Sequence, residues 1–178
     1  IFHPLPVSTD AILESCFIEN ATTTALFDLT TANVSAEAGI TKQFYTSLSN
    51  ALGGTDEIIP ATTYISASKD VFVKITGSNG CFIIKKITLK VLPPVKSSVL
   101  KDKIICIDER TTLDAGPGFD GYEWSTGATT SSITNVAVGS YWVLLKTGKC
   151  YTLQAVNVKK ANTPVISTID ISNNAITV

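Results

Sequence analysis

Leu113-Asp-Ala-Gly-Pro-Gly-Phe-Asp-Gly-Tyr-Glu-Trp-Ser-Thr-Gly-Ala-Thr-Thr130 is the stretch that decides the fold, together with the run from Gly139 to Cys150 that follows it. Gly116, Pro117, Gly118 and Asp120-Gly121 are turn residues, because proline presets φ and glycine tolerates positive φ. Tyr122, Glu123 and Trp124 alternate, which places both aromatics on one face of a strand. Ser125-Thr126-Gly127 then breaks the run. After Gly139, Tyr141, Val143 and Leu145 share one face, and Trp142, Leu144 and Lys146 share the other. A period of two marks a half-buried strand. The short turn Thr147-Gly148-Lys149 leads into a second strand over 150–158, so the pair reads as an antiparallel hairpin.

A weaker copy of this pattern lies earlier. Val71-Phe-Val-Lys-Ile-Thr-Gly-Ser-Asn-Gly-Cys81 aligns with Tyr141-Trp-Val-Leu-Leu-Lys-Thr-Gly-Lys-Cys150 once a turn residue is dropped, and the cysteines then coincide. An alternating strand follows each cysteine. Tyr45-Thr-Ser and Tyr122-Glu-Trp occupy similar places upstream. Two units are therefore expected, each ending in a β-hairpin. Proline marks the joints, at Leu5-Pro6-Val7, Leu92-Pro93-Pro94-Val95 and Thr163-Pro164-Val165, since it cannot continue a ladder and stiffens a linker. The expected division is 1–7 as the tail of a preceding repeat or linker, 8–95 and 96–161 as two domains, and 162–178 as a linker with the start of a third repeat.

Composition agrees with an all-β chain. Of the 178 residues, 44% are hydrophobic and 16% charged, as in globular proteins. Thr, Ser, Val and Ile are abundant, and helical periodicity is nearly absent. Short helical turns are expected only around 32–38 and after Ser47, which can cap a turn that ends at Gly53-Gly54. The net charge is −1 and no Lys/Arg cluster stands out, which argues against a nucleic-acid partner. No apolar run approaches the ~20 residues that span a bilayer as a helix. The chain contains no Met, and it is expected to be an internal piece of something longer, monomeric within that larger chain.

The four cysteines divide two per unit. Pairing Cys16 with Cys81 and Cys106 with Cys150 is the one arrangement that keeps each bridge within a unit; the competing reading is four buried free thiols. Bridges imply an oxidising, exported location and suit units whose cores are small.

Leu113-Asp-Ala-Gly116, Gly118-Phe119, Tyr122-x-Trp124-Ser-Thr-Gly-Ala-Thr-Thr130, Ile133, Gly139-x-Tyr141-x-Val143 and Cys150 resemble the Ig-like (PKD-like) tandem repeats of very large Bacteroidetes surface proteins. These are gliding-motility-associated and adhesin-like proteins, substrates of type IX secretion. Cys16, Ala25-Leu-Phe-Asp-Leu-Thr30, Phe44-Tyr-Thr-Ser-Leu48, 71–75, Asn79-Gly-Cys81 and the Leu92-Pro93 joint resemble the companion repeat of such proteins. Lys149 and Trp142 depart from the residues common at their positions there. The resemblance implies tandem Ig-like antiparallel β-sandwich domains, a cell-surface or secreted location, a spacer or adhesive role, and no catalytic residues.

The residues agree that an active site is not expected. His3 is the one histidine and sits in a linker, where it cannot serve a Ser-His-Asp arrangement. Ser66-x-x-Lys69 and Ser98-x-x-Lys101 match a nucleophile spacing without the other elements of that class. No cofactor is implied. Among the carboxylates Asp108, Glu109, Asp114, Asp120 and Glu123, calcium has weak candidates in Asp114 and Asp120, but the spacing is not that of an EF-hand and solvated turn residues are the preferred reading. Phe72 and Trp142 occupy equivalent positions, opposite the apolar faces of their strands, and are the candidate ligand-binding residues. Packing under a loop is the competing account. A Lys–Asn isopeptide bond ranks low beside a cystine in each unit.

The function expected from sequence is a non-catalytic repeat segment of an exported bacterial cell-surface protein, acting as an extended spacer or adhesin stalk. The alternatives are an adhesin module that binds a surface glycan or a host or neighbour-cell protein through an exposed sheet face, and an accessory binding module of a secreted hydrolase.

Overall fold

The computed structural model describes residues 5–162, which form two compact all-β units of Ig-like sandwich type. The first unit comprises residues up to 95 together with 146–152; the second comprises 96–145 and the chain from 153.

In the first unit β1 (Ala11–Ile18), β2 (Ala21–Phe27), β3 (Thr41–Tyr45), β4 (Tyr64–Ala67), β5 (Lys69–Thr76) and β6 (Phe82–Leu92) join in the order β3-β5-β6-β1-β2-β4. β1 changes partner along its length. Residues 11–16 run parallel to β6, with Cys16 opposite Leu92, and Phe17 and Ile18 then pair antiparallel with β2. This switch lets one ladder fold over on itself as two layers around a shared core.

Alternation on β5 fills that core. Val71, Val73 and Ile75 are fully buried, and Val71 lies opposite the buried Ile87 of β6. Phe27, Leu29, Val34, Phe44 and Leu89 complete the cluster. Burying such side chains is worth ~1.5–3 kcal/mol each relative to exposure, so the alternation itself drives this strand inward.

The helical turn expected after Ser47 is α1 (Leu48–Gly53). The Ser47 side chain accepts from the Asn50 amide at 3.1 Å, and Gly54 closes the helix at φ 67°, which glycine adopts without a Cβ penalty. The turn expected over 32–38 is not helical. A 3-10 turn lies just before it at Leu29–Thr31, because the Asp28 carboxylate accepts from the Thr30 amide at 3.0 Å and starts the turn early.

The second unit is built on β7 (Lys103–Ile105), β8 (Thr111–Asp114), β9 (Gly121–Trp124), β10 (Ser132–Val136), β11 (Gly139–Thr147) and β12 (Cys150–Lys160), of which residues 146–152, from β11, β12 and their turn, count with the first unit. The strands form a four-stranded sheet, β7-β12-β11-β9, and the antiparallel pair β10-β8. β7 runs parallel to β12, with Ile105 opposite Lys160. Leu113, Trp124, Val143, Leu145, Val156 and Val158 are at the centre of the core.

The Trp-Ser-Thr-Gly motif is the local device that sets this core. Trp124 is the largest fully buried side chain among the described residues, and its Nε1 donates to the Thr130 carbonyl at 2.8 Å. Gly127, at φ 83°, donates to the Trp124 carbonyl, and the Trp124 amide donates to Ala128. Ser-Thr-Gly is thus a tight turn that returns the chain under the indole, with the indole's polar edge satisfied. Tyr122 hydroxyl donates to the Gly116 carbonyl at 2.6 Å, which ties the preceding glycine-proline turn to the same strand.

The 165–178 segment, expected to open a third unit, lies outside the described residues.

Candidate functional site

The chemical feature that stands out is a disulfide, and its pairing corrects the sequence expectation. Cys16 is bonded to Cys150, 134 residues away, while Cys81 and Cys106 are free thiols.

Strand direction explains the correction. Cys16 lies opposite Leu92 on the parallel strand β6. Cys81 precedes that same strand and is eleven residues before Leu92. At ~3.3 Å per residue the two cysteines are separated by ~36 Å, against the ~7 Å limit for a bridge. The second unit repeats the arrangement. Ile105 lies opposite Lys160, so Cys106 continues against Ala161, whose amide donates to the Ile105 carbonyl. Cys150 is eleven residues before Ala161, at the other end of β12. In both expected pairs the two cysteines stand at opposite ends of one parallel ladder, so neither Cys16–Cys81 nor Cys106–Cys150 is within reach.

The bonded pair sits in a well-made setting. Cys150 is 5% exposed. Lys149, beside it, donates its ammonium to the Glu14 carbonyl, two residues before Cys16. Lys90 donates to the Glu14 carboxylate at 2.8 Å; this bond and the Lys90 charge, with a smaller contribution from Lys149, hold the Glu14 carboxyl below its usual range. The Val95 amide donates to the Thr152 hydroxyl at 3.1 Å. An open cleft of about 490 Å³ adjoins the bridge, lined by Leu92, Pro93, Val95, Glu14, Lys149 and Cys150 among others, all in the first unit. Its floor is apolar, and its two charged side chains are already engaged with partners. The chemistry available here is covalent crosslinking and its reversal by thiol exchange.

The other residues singled out in the sequence fall in different places. Phe72 is half-buried on β5, opposite the fully buried Tyr45 of β3, and α1 packs against both strands. Trp142 is 40% exposed on β11, and its amide donates to the Ser125 hydroxyl at 3.3 Å. The equivalent positions therefore have unlike surroundings, one in each unit. Asp114 accepts from the Gly116 amide at 2.8 Å, which makes it a turn former; Asp120 is exposed on the following turn. Among the described residues no three His, Cys, Asp or Glu side chains cluster to hold a metal. Ser66 is buried, and Lys69 directs its ammonium over the Tyr64 ring at 5.3 Å. Ser98 and Lys101 are exposed. His3 lies outside the described residues.

Glu14 carried no signal in the sequence reading, and Lys149 stood out only as a departure from the resembling repeats. They matter only because the strands bring their backbones to the bridge.

Residues 12–95, just under half of the chain, match the family described as Flavobacterium inter-domain disulphide bond domain. No curated protein matches the chain. Among solved structures, the four N-terminal Ig domains of Dscam1 isoform 6.9 align at 11% identity and a TM-score of 0.29, covering 88% of this chain and 45% of that one. The titin domains I67–I69 align at 12% identity and a TM-score of 0.31, covering 88% of this chain and 64% of that one. The chain thus spans less than two thirds of either structure. The Ig-like assignment rests on its own strands and cores, and the first unit is similar to a bacterial Ig-like module of that family.

Native alkylation without reductant is expected to modify Cys81 and Cys106 and leave Cys16 and Cys150 linked, with Cys106 reacting faster because it is the more exposed. Peptide mapping by mass spectrometry checks it. A Cys16–Cys81 peptide would contradict the pairing.

Proposed function

We propose that the chain is a non-catalytic repeat segment of an exported bacterial cell-surface protein and acts as a covalently braced spacer. The observation that carries this reading is the Cys16–Cys150 bond. It ties two residues 134 positions apart, so the chain between them is bypassed by any load applied at the ends. A spacer under tension benefits from such a shunt. A disulfide of this kind also fits an extracellular, oxidising location. Similarity of residues 12–95 to a family named for an inter-domain disulfide points the same way. The decisive test is mechanical: pulled from its two ends, the oxidised chain should extend far less than the reduced one, and equal extension would sink the brace.

Trp142 favours a second reading. A large aromatic at 40% exposure with the Ser125 hydroxyl beside its backbone offers a stacking surface with a polar neighbour, as a glycan or a partner protein would need. In a glycan and cell-surface protein screen, binding that is lost in a folded Trp142→Ala variant would make the segment an adhesin module. Binding that survives the substitution would move the site elsewhere. Absence of binding favours the spacer alone.

A further inference from the structure

We infer that the groove along β10 in the second unit is a binding site for an uncharged sugar, whose ring lies on Tyr141 and whose hydroxyls meet Thr126, Ser132, Thr134 and Asn135. The inference goes beyond the spacer reading and uses neither the Cys16–Cys150 bond nor Trp142.

The sequence supplies the material. From Trp124 to Leu145 the chain has no charged residue, and its first half is dense in serine and threonine. Folding gathers these side chains around a cavity of about 380 Å³, lined by all five residues of β10. That volume falls within the ~300–1,000 Å³ of small-molecule sites. The floor is apolar. Ile133 and Val136 are buried, and the half-buried Tyr141 donates its hydroxyl to the Ala137 carbonyl at 3.1 Å, which fixes its ring.

The rim is polar. Thr126, Thr134 and Asn135 are exposed and Ser132 is half-buried. Among the described residues, the side chains of these four make no hydrogen bond within the protein. A sugar has the matching division, an apolar C–H face and a ring of hydroxyls that both donate and accept. Serine and threonine hydroxyls and the asparagine amide also do both, and an aromatic ring supplies the flat apolar surface.

Charge and backbone argue against the other classes of ligand. No Lys, Arg, His, Asp or Glu lines the groove, so no side-chain charge is there to pair with a phosphate, a carboxylate or a cation. A peptide adding to the edge of β10 would need an unbroken row of amides and carbonyls. That row is broken. Ile133 faces Leu113 and Val136 faces Thr111, so three steps on β10 match two on β8 and one residue is extra. Asn135 lies in this bulge at φ 60°, a left-handed conformation that asparagine adopts more readily than most residues. The bulge blunts the edge against strand addition and leaves the Asn135 side chain lining the groove. Trp142 follows Tyr141 on β11 and so points to the opposite face of that strand, which makes the two aromatics separate surfaces.

The test is amide NMR of the full oxidised chain titrated with the methyl glycosides of glucose, galactose, mannose and N-acetylglucosamine. Saturable shifts centred on 126–136 and Tyr141 are expected with at least one of them. The double variant Thr134→Val/Asn135→Gly removes the hydroxyl and the amide. It keeps the side-chain shape at the first position and the left-handed backbone at the second, which glycine adopts freely. This variant should fold and bind roughly tenfold more weakly. Trp142→Ala should bind as the parent chain does.

No saturable shift with any of these glycosides would overturn the site and leave the spacer reading standing. Shifts that centre on Trp142 and vanish in Trp142→Ala would overturn it in favour of the sheet-face reading. Undiminished binding by the folded double variant would overturn it as well. Shifts of the β10 amides with a peptide of the β8 sequence, and not with the glycosides, would make the groove a strand acceptor instead.

Discussion

Stretched from its two ends, the oxidised chain is expected to extend far less than the reduced one. The load enters at the N-terminal side, passes along β1 to Cys16, crosses the sulfur bridge to Cys150 and leaves along β12. Everything between those cysteines is in parallel with a covalent bond and carries no load. Reduction, or the double variant Cys16→Ser/Cys150→Ser, puts that loop in series. With the cysteines 134 positions apart, the gain in contour length is roughly 480 Å, at up to ~3.6 Å per extended residue.

Single-molecule force spectroscopy with handles at the two termini measures the gain directly. Equal extension with and without reductant would sink the brace. The same bond constrains the unfolded chain, and a loop of this length stabilises by ~5 kcal/mol in the loop-entropy description. Chemical denaturation should therefore show a large downward shift of the midpoint for the double serine variant, without loss of Ig-like strand content in the native state.

Trp124→Ala is expected to unfold the second unit selectively. The indole is 1% exposed and sits among Leu113, Val143, Leu145, Val156 and Val158. Truncating a buried Trp costs ~3–5 kcal/mol through lost burial and the cavity left behind. The Thr130 carbonyl also loses its Nε1 donor, which adds ~1–3 kcal/mol if the oxygen stays dry. That sum is comparable with the whole stability of a small domain. The first unit has its own core around Val71, Val73, Ile75 and Phe27, and should keep its cooperativity.

Trp124→Phe separates the two contributions, since it keeps most of the apolar ring and removes only the N–H and the second ring's volume. Trp142, the other tryptophan, reports unfolding by fluorescence in both variants. Amide exchange assigns the loss to a unit. Unchanged protection of β9, β11 and β12 in Trp124→Ala would show that the indole is not the keystone of that core.

What the sequence determined by itself was local. The alternation of Val71, Val73 and Ile75, and of Val143 and Leu145, became buried strand faces because a period of two puts one set of side chains out of water whatever the sheet order. Ser47 and Gly54 were readable as caps because a cap needs only its own turn. Trp-Ser-Thr-Gly was readable as a turn for the same reason. The all-β character follows from these pieces, while the Ig-like expectation came from the resemblance carried by Tyr122-x-Trp124-Ser-Thr-Gly and its neighbours.

Tertiary structure alone decided the disulfide. Cys16 and Cys81 belong to one unit, and nothing in their spacing reveals that β1 runs parallel to β6 and carries them to opposite ends. A bridge depends on the direction and register of strands far apart in sequence, and these are set by which sheet order buries both cores at once. Trp142 and Phe72 diverged for the same kind of reason. Their strands have the same pattern, and only the neighbours brought up by folding, Tyr45 and α1 beside one and the Ser125 turn beside the other, made one half-buried and left the other exposed.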